Sequence, residues 1–209
     1  MNYLRYFLVS STIWLFCLAP TWAETRFEIK GDTLVFNTEI STEDDCINYD
    51  DADKLRDFLS LQKNIKRIQL TSGGGFAGAA YKMLRVVEDY NLDTIASGEC
   101  LSACVIIFLA GKNRTLELGS RLGFHGSYWA ADSLKKYYNE QKKEYGWADE
   151  MAFSGWVYSE SRRDVARTLK YLASKNVTLD FIIKALSLDP DQYWYPNRKE
   201  LIAAKFITS

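Results

Sequence analysis

Eight apolar residues in a row, Ala103-Cys104-Val105-Ile106-Ile107-Phe108-Leu109-Ala110, lie at the middle of the chain. A run this long has to be buried, so whatever fold forms must close around it. A buried strand would satisfy the same run. The flanks favour a helix, because Ser102 is a suitable N-cap and Gly111 a suitable stop. Ser102 would then stand where unpaired backbone N–H groups and the positive end of the helix dipole gather. That environment can hold an oxyanion beside a hydroxyl, which acyl transfer requires. An ordinary capping serine is the plain alternative.

Elements of alternating type surround the run. Arg26 to Ile40 alternates apolar and polar residues about Gly31-Asp32 and predicts a β-hairpin. Asp44 to Asp53 reads as a solvated acidic loop, and Ala52 to Leu61 as an amphipathic helix. Strands are expected at Ile65–Leu70, Leu92–Ala96, Arg114–Leu118 and Arg121–Phe124, with a helix over Ala77–Tyr90. Ser133–Tyr145 and Met151–Ser174 read as two further helices. Strands alternating with helices predict an α/β fold with parallel strands.

The 209 residues, 47% hydrophobic, suffice for one sizeable core. A net charge of −1 gives no electrostatic footprint for nucleic acid. Residues 1–23 carry Arg5 as their only charge, then an apolar run, then Pro20-Thr21-Trp22-Ala23, with small residues at −3 and −1. That is the pattern of a cleavable secretory signal peptide, so residues 24–209 are expected to form the mature domain outside the cytoplasm. Cys17 would leave with the signal. Cys46, Cys100 and Cys104 then allow at most one disulfide. A disulfide pinning the loop that carries Ser102 is expected, with buried thiols as the alternative, and the residues do not set which cysteines pair. Cys-x3-Cys with a single histidine is thin for zinc, and no metal or cofactor is expected.

Two flanking motifs bear on Ser102. Thr71-Ser72-Gly73-Gly74-Gly75 lies between a strand and a helix, where glycines admit positive φ and close approach to a ligand. It lacks the lysine of a phosphate-binding loop. Gly123-Phe124-His125-Gly126 ends a strand and contains the only histidine of the chain. A serine needs an adjacent base to become a nucleophile, and imidazole suits that task at neutral pH.

Together, Thr71–Gly75, Gly98-x3-Ser102-Ala103 and Gly123-Phe124-His125 resemble the oxyanion loop, nucleophile turn and base segment of the Clp protease proteolytic subunit. Its exported bacterial relatives, with Cys-x-Ser-Ala-Cys at the serine, are the nearest likeness. The resemblance extends from about Phe27 to Ile207 and is strongest between Ile68 and Gly126. It implies the ClpP/crotonase-like fold of stacked βαβ units. It also implies Ser102 as nucleophile and His125 as general base, with the N–H groups of Gly74 and Ala103 as the oxyanion hole and Gly75 shaping that loop. Gly73 departs from the family, which usually has proline there.

The third triad member is less marked. Glu200 to Ile207 resembles the family's closing helix, and counting back from it places Asp189 at the aspartate position, with Asp191 second. Counting forward from Thr178 lands near Ala185. Asp189-Pro190-Asp191 also reads simply as an acidic turn. A helical insert, about residues 131–175, corresponds to the family's ring-assembly segment, which implies a homo-oligomer or a lid. Tyr128, Trp129, Trp147, Trp156 and Tyr158 either line a peptide groove or pack together, packing being the simpler use.

The expected function is an exported serine hydrolase, a peptidase acting on peptides or unfolded segments through an acyl-enzyme. With no ATP outside the cytoplasm, no ATPase partner is expected. The alternative is an inactive binding or scaffold protein. A thioester-using crotonase activity ranks third, for want of a nucleotide site.

Overall fold

The computed structural model describes residues 26–40 and 45–208. The predicted signal segment lies outside the described residues. The fold is mixed α/β with a mostly parallel sheet. Strands β1 (Phe27–Lys30) and β2 (Thr33–Asn37) form an antiparallel hairpin. Its turn holds Gly31 at φ +65°, a conformation costly for most other residues. Helix α1 (Asp51–Leu61) leads to β3 (Arg67–Ser72), α2 (Ala77–Asp89) to β4 (Asp93–Leu101), and α3 (Ala103–Leu109) to the short β5 (Arg114–Leu116) and β6 (Arg121–Gly123). The sheet order is β1-β2-β3-β4-β5, with β6 pairing the far end of β4.

The apolar run becomes α3, which is short and almost wholly buried. It packs against α2, whose Ala79, Ala80, Met83, Leu84, Val86 and Val87 form the inward stripe expected of a helix on a sheet. On its other side Phe108 stacks on Phe206, 6.2 Å between ring centroids. Truncating Ile107 or Phe108, both fully buried, would cost about 2–5 kcal/mol.

Two expectations are corrected. The acidic stretch expected over Asp44 to Asp53 is not all solvated, and its last residues belong to α1. Asp51 has no exposed surface, accepts two bonds from the Arg26 guanidinium at 3.0 and 3.2 Å, and takes the Asn48 N–H at 2.8 Å. Burial raises its pKa above the ordinary carboxylate value against the pull of those donors. The pair ties the hairpin to α1, and removing either partner would leave a buried charge without its counter-charge. The second correction concerns the strand expected over Leu92–Ala96, which does not stop before Gly98 and Glu99. They belong to β4, which runs for nine residues. Its pairing with β3 steps from Leu70↔Ala96 to Ser72↔Cys100, so β4 carries two extra residues, with Gly98 at φ +67° in the irregularity. Thr71 Oγ1 donates across it to the Ser97 carbonyl at 2.7 Å.

After β6 the chain forms α4 (Ala131–Tyr145), α5 (Glu150–Ser174), α6 (Leu179–Leu186) and α7 (Arg198–Ala203). Helix α4 has no buried residue, and α5 only Phe153. Trp129, Tyr137, Trp147, Phe153 and Trp156 pack ring on ring between the two helices, while Tyr128 and Tyr158 are exposed. Where α5 meets the sheet domain, Tyr81 and Thr168 share a hydrogen bond at 3.0 Å, and the Tyr171 hydroxyl donates to Glu88 at 3.0 Å. The C-terminal segment is pinned by Arg114, whose guanidinium donates to the carbonyls of Gly111, Lys205 and Phe206.

Candidate active site

Sheet register assembles the site. The parallel pairing Cys100↔Leu122 and Leu101↔Gly123 brings the next residues of β4 and β6 abreast, and Ser102 N–H donates to the Gly123 carbonyl at 2.9 Å. On the other flank, Ser72↔Cys100 places the glycine loop beside the same turn. Three strand ends therefore meet at Ser102, at the carboxyl edge of the sheet where α/β folds bind ligands.

Ser102 stands at the N-cap position of α3, but its side chain caps nothing. Its backbone is at φ +52°, ψ −119°, outside the extended region a capping serine uses. A non-glycine residue held there carries about 1–3 kcal/mol of strain, which the surroundings must offset. Part of the restraint is covalent. Cys100 and Cys104 form a disulfide, Cα to Cα 5.2 Å, clipping the end of β4 to the first turn of α3 around the serine. Cys46 stands outside this bond.

The strained turn aims the hydroxyl at His125, whose Nε2 lies 2.6 Å from Ser102 Oγ. On the other side of the ring, Nδ1 lies 2.8 Å from the Gly126 carbonyl. A carbonyl can only accept, so the hydrogen-bond network assigns the proton to Nδ1 in the neutral ring and leaves Nε2 bare towards the serine. This is the tautomer a general base needs.

Asp189 does not take this place. It meets the site through its backbone, its carbonyl accepting the Gly126 N–H at 3.2 Å. Its carboxylate accepts no hydrogen bond from the imidazole, because Nδ1–H is given to the Gly126 carbonyl instead. Asp191 makes no hydrogen bond to the ring either. The contact that sequence reasoning missed is Tyr193, whose ring lies 5.0 Å from that of His125 at an interplanar angle of 35°.

The glycine loop approaches Ser102 closely. Gly74 adopts φ +112°, and a Cβ there would fall 2.8 Å from Ser102 Cβ. Gly75, at φ +149°, passes against Ile47, where a Cβ would sit 2.4 Å from backbone atoms. The loop is shaped from beneath by two buried hydroxyls. Thr38 Oγ1 donates to Ser72 Oγ at 2.9 Å, and Ser72 Oγ accepts the Gly74 N–H at 3.1 Å. The Gly74 N–H is thus engaged inside the loop. Among the described residues, no backbone or side-chain acceptor takes the N–H of Gly75 or of Ala103. Thr38 was invisible in the sequence, since a lone threonine after a strand carries no functional signal.

No model of a protein family matches the chain, and no curated protein matches it in sequence. The match comes from architecture. ClpP1 of Listeria monocytogenes superposes with a TM-score of 0.53 at 15% identity, over 85% of this chain and 89% of that one. A mutant of the same protein, with one asparagine changed to aspartate, gives 0.57 at 17% identity and the same coverage. The fold is that of ClpP. At this identity the ClpP likeness speaks for the arrangement of strands and helices, and the chemistry of the site rests on the geometry of this chain's own residues.

Proposed function

We propose that the protein is a serine hydrolase, and more narrowly a peptidase, that works outside the cytoplasm through a Ser102–His125 dyad. The observation that carries the reading is the 2.6 Å contact between Ser102 Oγ and a His125 Nε2 left unprotonated by the Gly126 carbonyl.

The reaction follows from those positions. Ser102 Oγ attacks a substrate carbonyl carbon as its proton passes to His125 Nε2. The carbonyl oxygen becomes an oxyanion, received by the N–H of Ala103 at the start of α3 and by the glycine loop. Of the loop donors, Gly75 is available and Gly74 is engaged with Ser72, so the hole is assigned to Gly75 and Ala103. Protonated His125 gives its proton to the leaving amine, and the amine departs to leave an acyl-Ser102. Water then attacks the acyl carbon, losing a proton to His125, and Ser102 is released with its proton restored.

Export is supported by the leader-like residues 1–23 and by the disulfide, a bond kept in oxidising compartments. A compartment without ATP fits a hydrolase that takes peptides or unfolded segments unaided. The α4–α5 hairpin, with Tyr145, Met151, Tyr158 and Val165 exposed, fits self-association of the chain.

One observation favours a second reading, a binding or scaffold protein without turnover: His125 has a carbonyl where a carboxylate would stabilise the imidazolium. The carbonyl still performs the orienting half of that task, which is why hydrolysis is preferred. Hydrolysis of a fluorogenic peptide and ester panel by the mature protein decides between them. Turnover abolished by Ser102→Ala supports the hydrolase. No turnover supports the scaffold, and turnover indifferent to Ser102→Ala contradicts the role given to Ser102.

A further inference from the structure

The two glycines around His125 are set by what lies against them. A Cβ on Gly126 would fall 2.1 Å from the Leu188 carbonyl, and one on Gly123 would fall 2.8 Å from the Tyr195 ring. Their bareness lets the segment 188–195 close over the histidine. It is held there by backbone bonds on both sides. Phe124 N–H donates to the Trp194 carbonyl at 2.9 Å and Trp194 N–H to the Phe124 carbonyl at 2.8 Å, while Gly126 N–H donates to Asp189. This clamp fixes Tyr193, whose half-exposed side chain lays its ring on the imidazole.

The ring is itself supported. Tyr193 stacks on Tyr195, 6.1 Å between centroids at 16°. Arg121 lies over the Tyr195 ring, 4.6 Å from its centroid, and is ion-paired with Glu99. Both Arg121 and Glu99 belong to the paired strands that deliver the dyad. The result is a ladder, Glu99–Arg121–Tyr195–Tyr193–His125, running from the sheet edge to the base.

We infer that Tyr193 is the positioning residue of His125, holding the imidazole between its ring and the Gly126 carbonyl in the task a third-member carboxylate would otherwise perform. The inference rests on the hydrolase reading for its kinetic consequence but not for its structural one. Two constraints are needed to fix a ring. The Nδ1–H bond to Gly126 selects the tautomer only while the ring stays in register with that carbonyl, and by itself it leaves the imidazole free to rock out of line. An aromatic face at 5.0 Å blocks the rocking. As Ser102 gives up its proton, the ring becomes cationic, and the electron-rich Tyr193 face attracts it. That attraction is absent when substrate merely binds, so it acts on kcat and leaves KM in place.

The experiment combines kinetics with a spectroscopic readout. Because His125 is the only histidine, 15N-histidine labelling gives the resonances of one imidazole, and their shifts report which nitrogen carries the proton. Tyr193 is half-exposed, so its truncation leaves the core intact, and circular dichroism checks this. Wild type is expected to show a single Nδ1–H tautomer at neutral ring charge. Tyr193→Ala is expected to show exchange between tautomers and to react with a fluorophosphonate about ten times more slowly. Tyr193→Phe, which keeps the ring, is expected to match wild type in both. A single unchanged tautomer in Tyr193→Ala overturns the inference, whatever its rate. If wild type shows no labelling dependent on Ser102, the hydrolase reading fails, and the tautomer comparison still decides the role of Tyr193.

Discussion

The Nδ1 of His125 and the carbonyl of Gly126, the next residue in the chain, lie 2.8 Å apart. A base oriented by its own neighbouring peptide needs no carboxylate to choose its tautomer. On the hydrolase reading the site works as a dyad, and its energetics should differ from those of a full triad. The imidazolium formed during attack has dipoles and a ring about it rather than a full negative charge.

The first consequence concerns Asp189. Its backbone supports Gly126, while its carboxylate makes no hydrogen bond to the imidazole. Asp189→Asn preserves the backbone and removes only the charge. We expect kcat/KM to stay within about threefold of wild type, where a working triad aspartate would lose orders of magnitude. Steady-state kinetics on the purified variant gives the answer.

Gly74 should tolerate no side chain. An alanine Cβ at this position would lie 2.8 Å from Ser102 Cβ and 3.0 Å from the Leu101 carbonyl, on a backbone at φ +112°. The loop or the nucleophile must move, and displacement of a reacting atom by about 1 Å can cost 100-fold. Gly74→Ala is expected to lose at least that much in rate while retaining the far-ultraviolet dichroism of wild type. Gly73, where a Cβ would meet nothing within 4 Å, is expected to accept alanine with little loss.

The disulfide closes a short loop, its cysteines four residues apart in the chain. Chain-entropy arguments give such a loop about 2 kcal/mol of stabilisation. For a domain of this size that corresponds to about 4–8 °C in Tm. The double substitution Cys100→Ala with Cys104→Ala should lower Tm by that amount in a thermal melt. It should also slow the reaction of Ser102, since the strained φ loses a restraint.

A further expectation concerns alkaline pH. Burial, followed by the charge of Glu88 and the hydrogen bond to it, raises the Tyr171 pKa well above the ordinary phenol value. The folded state thus holds this proton more tightly than the unfolded chain does. The associated stability is complete below the unfolded value, about 10, and is lost progressively as pH rises beyond it. Denaturant melts at pH 8 and pH 11 should show a smaller loss for Tyr171→Phe than for wild type. Equal losses would mean that the phenol is not held in this way.

Much of the site was legible because its chemistry sits in short, contiguous motifs at strand ends. Ser102 before the apolar run, the three glycines and the lone histidine each carry a local signal, and strand pairing brings them together. What was hidden depends on contacts across the chain. Asp51 reads as one acid among several until Arg26 is found beside it. The strand reads as ending at Ala96 because the irregularity that admits Gly98 and Glu99 into β4 is set by pairing with β3. Counting from a helix places Asp189 on the histidine, whereas Asp189 meets the site through its carbonyl, which accepts the Gly126 N–H. Tyr193 gave no signal, since an aromatic residue beside Trp194 and Tyr195 reads as packing.

The central claim, that Ser102 is activated by His125, is tested most directly by covalent trapping. The protein is incubated with a fluorophosphonate and digested, and the adduct is located by mass spectrometry. One adduct is expected, on Ser102, absent from Ser102→Ala and reduced at least 100-fold in rate by His125→Ala. Labelling at Ser102 that proceeds equally fast without His125, or no labelling of the folded wild-type protein, would contradict it.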